Sequence, residues 1–426
     1  MRIVIVTDQY PPLVGGVSTV TRNLSVDLAA RGHQVWVIAP SERTRDMRLV
    51  EEGVHIYRFS SFKWPAYEGM RIAFLPIVPL RHLLNKIMPD VVHIHSPVVL
   101  GNLARMISHA LHRPVIATNH FMPINISRAL SDDPLLSKSF ESLTYSYLIR
   151  FYNHCNFVTA PTVTALEMLR RHGLRVPSLA ISNGINLARF RPAPPSPELR
   201  QTFRLPEHIP LVLFVGRLFG EKRINVLIDA ISRIPCDIHL AIAGTGPEAD
   251  TLQSQVTALG LEHQVTFLGF VPDAQLPELY HTADIFAIPS IAELQSLATM
   301  EAMASGLPVV AANCAALPEL VRHGENGFLT VPESSSDLAD KLLILLRNPE
   351  LRQTMGQRSL EIIAAHDREQ VLRQWEQLYE HVTHQYQQEV EREHSWQRRR
   401  LSALLARRQH RYRNLPMLPA SDRQGS

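Results

Sequence analysis

The sequence predicts an α/β protein built from two doubly wound, Rossmann-like domains that face one another across a cleft. Three observations carry this. Short apolar runs alternate with amphipathic helices through the first 180 residues. The same alternation restarts at Pro210. Between them, residues 190–206 (FRPAPPSPELRQTFRLP) are rich in proline and read as a linker. Alternating β and α segments give parallel sheets covered by helices on both faces, and such sheets bind ligands at the carboxyl ends of their strands.

In order, RIVIVTD (2–8) reads as a strand, 16–32 as a helix ending at Gly32, and QVWVIAP (34–40) as a strand. DVVHIHS (90–96), a helix over Pro97–His112, PVIATNH (114–120), a long helix near 135–153, FVTAP (157–161) and SLAISNG (178–184) complete the first domain, 1–188. After a linker at 189–206, the second domain, 207–366, opens with PLVLFVGR (210–217) and a helix over 223–232. IHLAIAG (238–244), a helix over 247–259, VTFLGF (265–270), DIFAIPS (284–290), a helix over Leu297–Ser305 and PVVAA (308–312) follow. Ser296 is placed to cap that last helix and Gly306 to end it. Two amphipathic helices occupy 335–348 and 349–366. A polar helix over 367–390 is expected to cross back to the first domain, and 391–426 reads as a basic helix with a disordered end.

Composition narrows the function. With 45% hydrophobic and 19% charged residues, the chain can bury two sizeable cores. The net charge of +3 is uneven: 391–426 holds nine Arg against Glu391, Glu393 and Asp422, so the body is slightly acidic. No folded nucleic-acid module is legible, and nucleic acid is not expected as the main partner. Cys155, Cys236 and Cys314 are dispersed and odd in number, which fits a reducing compartment. The N-terminus enters a strand directly and no apolar run reaches the length of a membrane span, so a cytoplasmic protein is expected. No CxxC or HExxH spacing suggests zinc, and no Asp-x-Asp pair is present to hold a divalent ion; no metal or other cofactor is expected.

The chemistry gathers at strand ends. In GRLFGEKR, Gly216 and then Arg217 and Lys222 follow a strand, where two cations can converge on a diphosphate; a solvated loop pair fits the spacing equally. In AELQSLATMEAMASGLPVV (292–310), Glu293 precedes the Leu297–Ser305 helix and Glu301 lies one turn inside it. The helix start, Ser296, Leu297, Ala298 and Thr299, offers N–H groups and a positive dipole end to a phosphate, with a carboxylate on either side to accept from hydroxyls. Two solvated glutamates fit the spacing as well. Gly244 and Gly246 sit in a strand-to-helix turn, and Gly269 and Phe270 at a strand end, at the cleft rim or in the core. Gly15 and Gly16 open the first helix, to face a phosphate or simply to turn the chain. His93, His95 and His120 stand at strand ends, and one of them is expected to be catalytic.

Taken together, DQYPPLVGGVSTVTRNLSVDLAARGH, PDVVHIHSP, ISNGINLARFRP, VGRLFGEKR, IAGTGPE and PSIAELQSLATMEAMASGLPVVAA resemble the GT-B-fold retaining glycosyltransferases of family four, the glycosyl transferases group 1. The resemblance reaches to about residue 385. It implies a nucleotide diphosphate sugar as co-substrate, bound by the second domain, and an acceptor on the first. Arg217 and Lys222 would hold the diphosphate, Glu301 the ribose and Glu293 the donor sugar, with the amides of Ser296 to Thr299 on the phosphate. Gly16 would approach the diphosphate or acceptor, and His120 the anomeric carbon. The chain departs from the family at Leu294-Gln295-Ser296, where Gly-Phe-Gly is common.

The stretch 54–76, with ATNHFMP, is similar to the branch that glycosylates membrane lipids: diacylglycerol glucosyltransferases, sulfoquinovosyl-diacylglycerol synthases and phosphatidylinositol mannosyltransferases. That implies a lipid acceptor at an anionic surface, met by Lys63, Trp64, Tyr67, Met70, Arg71 and Phe74, and peripheral attachment to the inner face of the plasma membrane. An ordinary loop is the alternative. The arginine-rich tail fits anionic lipid or simple solubilisation. A soluble acceptor, a non-hydrolysing sugar-nucleotide epimerase and a binding-only protein remain as rival functions.

Overall fold

The computed structural model describes residues 1–13, 15–64, 71–123, 134–194 and 197–413. It falls into two units, Met1–Gln377 and Leu378–Ser426. The first holds both sheets. The described part of the second continues a helix that begins in the first.

The chain runs β1 (Arg2–Val6), α1 (Gly16–Ala30), β2 (Gln34–Pro40), β3 (Met47–Glu51), β4 (Val54–Phe59), β5 (Ser61–Lys63), β6 (Arg71–Ala73), α2 (Ile77–Ile87), β7 (Val91–Ile94), α3 (Val99–Ala110) and β8 (Val115–Thr118). It continues with α4 (Pro134–Tyr152), β9 (Phe157–Ala160), α5 (Val163–Arg171), β10 (Ser178–Ala180) and α6 (Pro197–Thr202). The second sheet and its helices are β11 (Leu211–Val215), α7 (Ile224–Ile231), β12 (His239–Ala243), α8 (Ala249–Ala258), β13 (Val265–Gly269), α9 (Leu276–His281), β14 (Ile285–Ile288), α10 (Leu297–Ala304), β15 (Val309–Ala312), α11 (Leu317–Leu320) and β16 (Gly327–Thr330). Helices α12 (Ser335–Arg347), α13 (Pro349–Ile363) and α14 (Arg368–Arg413) follow.

The first sheet has the order β10-β9-β8-β7-β1-β2-β4-β3 and the second β13-β12-β11-β14-β15-β16. Both reverse direction of growth at one place, β1/β7 and β11/β14. There the following loops part and leave a crevice at the carboxyl ends. The central strands are buried on both faces, which is why they read as unbroken Val/Ile/Leu/Ala runs.

Three features differ from the sequence reading. The first sheet is not wholly parallel: β3 pairs antiparallel with β4 at its edge. The turn Glu52-Gly53 has positive φ at both residues, which closes a tight hairpin. The linker is not a bare tether. It contains α6, and Arg200 ties it down by donating to the carbonyls of Thr282, Pro206, Glu207 and Ile209 and to Asp284. Phe190 and Leu205 at its two ends are buried in the second domain's core. Third, α14 runs unbroken from Arg368 to Arg413 rather than dividing at 390. Its first turns meet the first domain, where Arg368 bonds Asp27, and Glu369 and Glu376 bond Arg31 at 2.5 and 2.6 Å. The expected disorder of the last residues lies outside the described residues.

Candidate functional site

The second sheet's crevice holds most of the residues singled out above. Arg217 follows β11, and its guanidinium lies 4.5 Å from the centre of the Phe219 ring. A single 3-10 turn, Gly220–Lys222, then delivers Lys222, whose Nζ is 2.6 Å from Glu293 Oε1 beyond β14. Both side chains are largely buried. The second cation and the first carboxylate of the sequence reading are therefore each other's partner.

Gly244 makes a close approach, but to backbone rather than to open cleft. A Cβ there would lie 1.8 Å from the Gly216 carbonyl oxygen, and φ is +145°. Gly246 likewise abuts Leu218 O, at 2.3 Å. Their role is to let the β12 turn pack under the Gly216–Leu218 loop that carries Arg217. Phe270, after β13, is 59% exposed. Its ring is therefore not packed in the core.

Helix α10 begins as the sequence predicts. Ser296 Oγ accepts the N–H of Thr299 at 3.2 Å. The Thr299 N–H, which the resemblance assigns to a phosphate, meets the cap in this structure, and the helix's first N–H groups are those of Leu297 and Ala298. Glu301 accepts a hydrogen bond from the buried Tyr280 hydroxyl at 2.8 Å. Burial pushes the Glu301 carboxyl up to about 7, with Tyr280 opposing. Tyr280 was not singled out from sequence, since a Tyr in an amphipathic helix carries no mark of its partner.

The two crevices meet. A Cβ on Gly16, at the start of α1, would be 3.9 Å from Leu297 of α10. A pocket of about 60 Å³ between α1, the 183–190 crossing and α10 is lined by Asn23, Asp27, Arg189, Leu297, Glu301 and Trp375 among others.

In the first sheet, the three histidines form one chain rather than offering alternatives. His95 Nδ1 is 2.9 Å from His120 Nε2. The His93 and His95 rings are 4.0 Å apart, and His93 Nε2 is 2.6 Å from Thr118 Oγ1. Burial lowers His93 to about 3 and His120 to about 4, so both are neutral imidazoles near pH 7. His120 can thus donate or accept a hydrogen bond there but carries no charge.

The departure at 294–296 has a structural use. Leu294 O accepts from Thr162 Oγ1 at 2.8 Å, and its side chain packs on Ala160, Ala165 and Leu166. Gln295 Oε1 accepts the Asn183 N–H at 2.7 Å and the Ser182 hydroxyl at 3.3 Å. The loop between the two glutamates is thereby fastened to the first domain. Glu319, before β16, adds to this by accepting from the N–H groups of Val163 and Thr164 at the start of α5. Gln295→Ala leaves the Asn183 N–H unpaired. It is expected to cost about 1–3 kcal/mol, read as a lowered melting temperature, and a melting point equal to wild type would show that the fastening contributes nothing.

Comparison with known proteins gives a consistent picture. Residues 195–361 match the family model described as glycosyl transferases group 1, and residues 14–189 that of glycosyltransferase family 4. A phosphatidyl-myo-inositol mannosyltransferase from Mycobacterium leprae is 31% identical, over 90% of this chain and 97% of the relative. An alpha-monoglucosyldiacylglycerol synthase from Streptococcus pneumoniae is 28% identical, over 85% and 83%. Among solved structures, a sucrose-phosphate synthase from Thermosynechococcus elongatus superposes with a TM-score of 0.75 at 22% identity, covering 90% of this chain and 99% of that one. The arrangement of two Rossmann-like domains is thus the one seen in known enzymes.

Proposed function

Because this chain belongs to the group 1, family 4 glycosyltransferases, we propose that it transfers a hexose from a nucleotide diphosphate sugar to a membrane glycerolipid hydroxyl, with retention at the anomeric carbon. The observation that carries the lipid acceptor is an exposed apolar patch on the first domain. Phe62 on β5, Trp64 just after it, Phe74 and Leu75 just after β6, and Ile77 and Val78 at the start of α2 are all at least 36% exposed. Lys63 and Arg71 flank them as the paired ends of the β5–β6 hairpin. Apolar groups beside cations suit an anionic bilayer surface. Tyr67 and Met70, also expected there, lie outside the described residues. Among the described residues no helix is long and apolar enough to cross a membrane; the attachment we propose is peripheral.

In the reaction, Arg217, Lys222 and the free start of α10 take up charge on the departing diphosphate. Two cations and a helix dipole do this work without a metal. Glu301 binds the ribose hydroxyls, Glu293 those of the donor sugar, and neutral His120 holds the sugar by hydrogen bonds near the anomeric carbon. The acceptor enters on the face the diphosphate leaves, and the leaving phosphate receives the acceptor's proton. UDP-glucose and GDP-mannose are the donors to test.

The test is nucleoside diphosphate release from UDP-glucose, UDP-galactose or GDP-mannose, with and without anionic vesicles carrying diacylglycerol or phosphatidylinositol. Release that requires vesicles supports the reading. Release stimulated by a soluble sugar instead moves the acceptor off the membrane and overturns it. A Trp64→Ser/Phe74→Ser protein should bind such vesicles at least about tenfold more weakly in co-sedimentation, since each aromatic loses roughly 1.5–3 kcal/mol of burial. Unchanged binding would reduce the patch to ordinary surface.

A further inference from the structure

We propose that Asp8 is a binding residue for the acceptor, its carboxyl hydrogen-bonding a hydroxyl at the acceptor's polar end. The inference rests on the glycosyl-transfer reading above and adds a residue to it.

Asp8 is 4% exposed, and neither carboxyl oxygen has a hydrogen-bond partner. Its backbone N–H is held by Ser96 Oγ at 3.1 Å, so the residue is fixed while its functional end is left unsatisfied. A buried carboxyl without a partner is costly, and such groups are few in native proteins.

Its position supplies the reason. Asp8 follows β1 by two residues, and Ser96 follows β7 by two, so the pair sits at the β1/β7 reversal of the first sheet. This is the crevice where such a sheet takes a ligand. A second orphan stands at the same strand ends: His95 Nε2, in a ring 2% exposed, also lacks a partner. His95 Nδ1 meanwhile joins His120, the residue placed near the anomeric carbon.

The chemistry of the pair selects the ligand class. Burial pushes the Asp8 carboxyl up to about 8 and holds the His95 imidazole well below its usual value. Near neutral pH one is a carboxylic acid and the other a neutral ring. Together they offer donors and acceptors without net charge, which suits an alcohol or polyol rather than a cation. Apart from His120, the groups proposed for the donor come from the second domain, so a hydroxyl bound at the β1/β7 strand ends is assigned to the acceptor.

The test compares the full-length wild type with Asp8→Asn and Asp8→Leu. Transfer from UDP-glucose and GDP-mannose is measured to dioleoylglycerol and to phosphatidylinositol in phosphatidylglycerol vesicles, and to soluble glycerol and glucose. Asp8→Leu should raise the acceptor KM at least tenfold and Asp8→Asn at least threefold, while the donor KM moves less than twofold. Without ligand, both variants should melt no lower than wild type, because an unpartnered buried carboxyl has been removed. Acceptor KM within twofold of wild type in both variants, or acceptor and donor KM rising together, overturns the proposal. If Asp8→Leu does not fold, Asp8→Asn decides alone. Asp8-dependent transfer to glycerol or glucose only would retire the lipid acceptor and keep Asp8. Vesicle-dependent transfer indifferent to Asp8 would do the reverse. A wild type that uses none of these hydroxyls overturns both.

Discussion

Lys222→Ala should lower kcat by about a hundred- to a thousandfold, the range seen when a preorganised group stabilising developing charge is removed. The donor KM should change much less, because a cation aimed at the diphosphate matters most as the sugar departs and charge accumulates. The substitution has a second consequence. Glu293 loses the partner that stands 2.6 Å away in a largely buried site, and an unpaired buried carboxylate destabilises the fold. The two effects separate in a double variant. Lys222→Ala/Glu293→Gln should recover melting temperature yet turn over more slowly than Glu293→Gln alone, since Glu293 itself meets the donor sugar in the proposed reaction. A single variant that melts low yet turns over normally would remove Lys222 from the chemistry and leave it a structural counter-ion.

Glu301→Ala should reduce kcat/KM by about a hundredfold, from the loss of two hydrogen bonds to a charged group at roughly 1.5 kcal/mol or more each. The same carboxyl sets a pH dependence. Its value of about 7, raised from 4.5 chiefly by burial, means the folded protein holds this proton where the unfolded chain has released it. The stability it contributes is therefore full below pH 4.5 and is lost as pH rises through 7. Nucleotide binding runs the other way. Two ribose hydroxyls donate to the ionised carboxylate, so binding favours deprotonation. UDP affinity measured by calorimetry should fall about tenfold per unit as pH drops below 7. Glu301→Gln should flatten that slope while leaving the titration of the nucleotide's own phosphate in place. A slope identical to wild type in Glu301→Gln would show that Glu301 does not meet the ribose.

Much of this site was legible from residues 2–8, 114–120, 210–217 and 284–290. Each is an apolar run that ends in a polar or charged residue, and in a parallel sheet such an end opens on the ligand side. The same signal marks Asp8 in RIVIVTD, which passed unremarked because an aspartate after a strand is also an ordinary turn residue. Strand and helix boundaries were readable because their causes are local: period, the Ser296 cap, the Gly306 stop.

The sequence by itself thus determined the two α/β halves and the strand ends that bear the chemistry. Only the tertiary structure decided how those ends combine. It pairs Lys222 with Glu293 across 71 residues, gives Glu301 its Tyr280 partner, links His95 to His120, and fastens Gln295 to Asn183 across 112. It also decided that Glu301 titrates near neutrality and that Asp8 is left without a partner. Hydrogen-bond partners and desolvation depend on which groups are packed around a side chain in space. Residues distant along the chain supply those groups, and local periodicity carries no record of them.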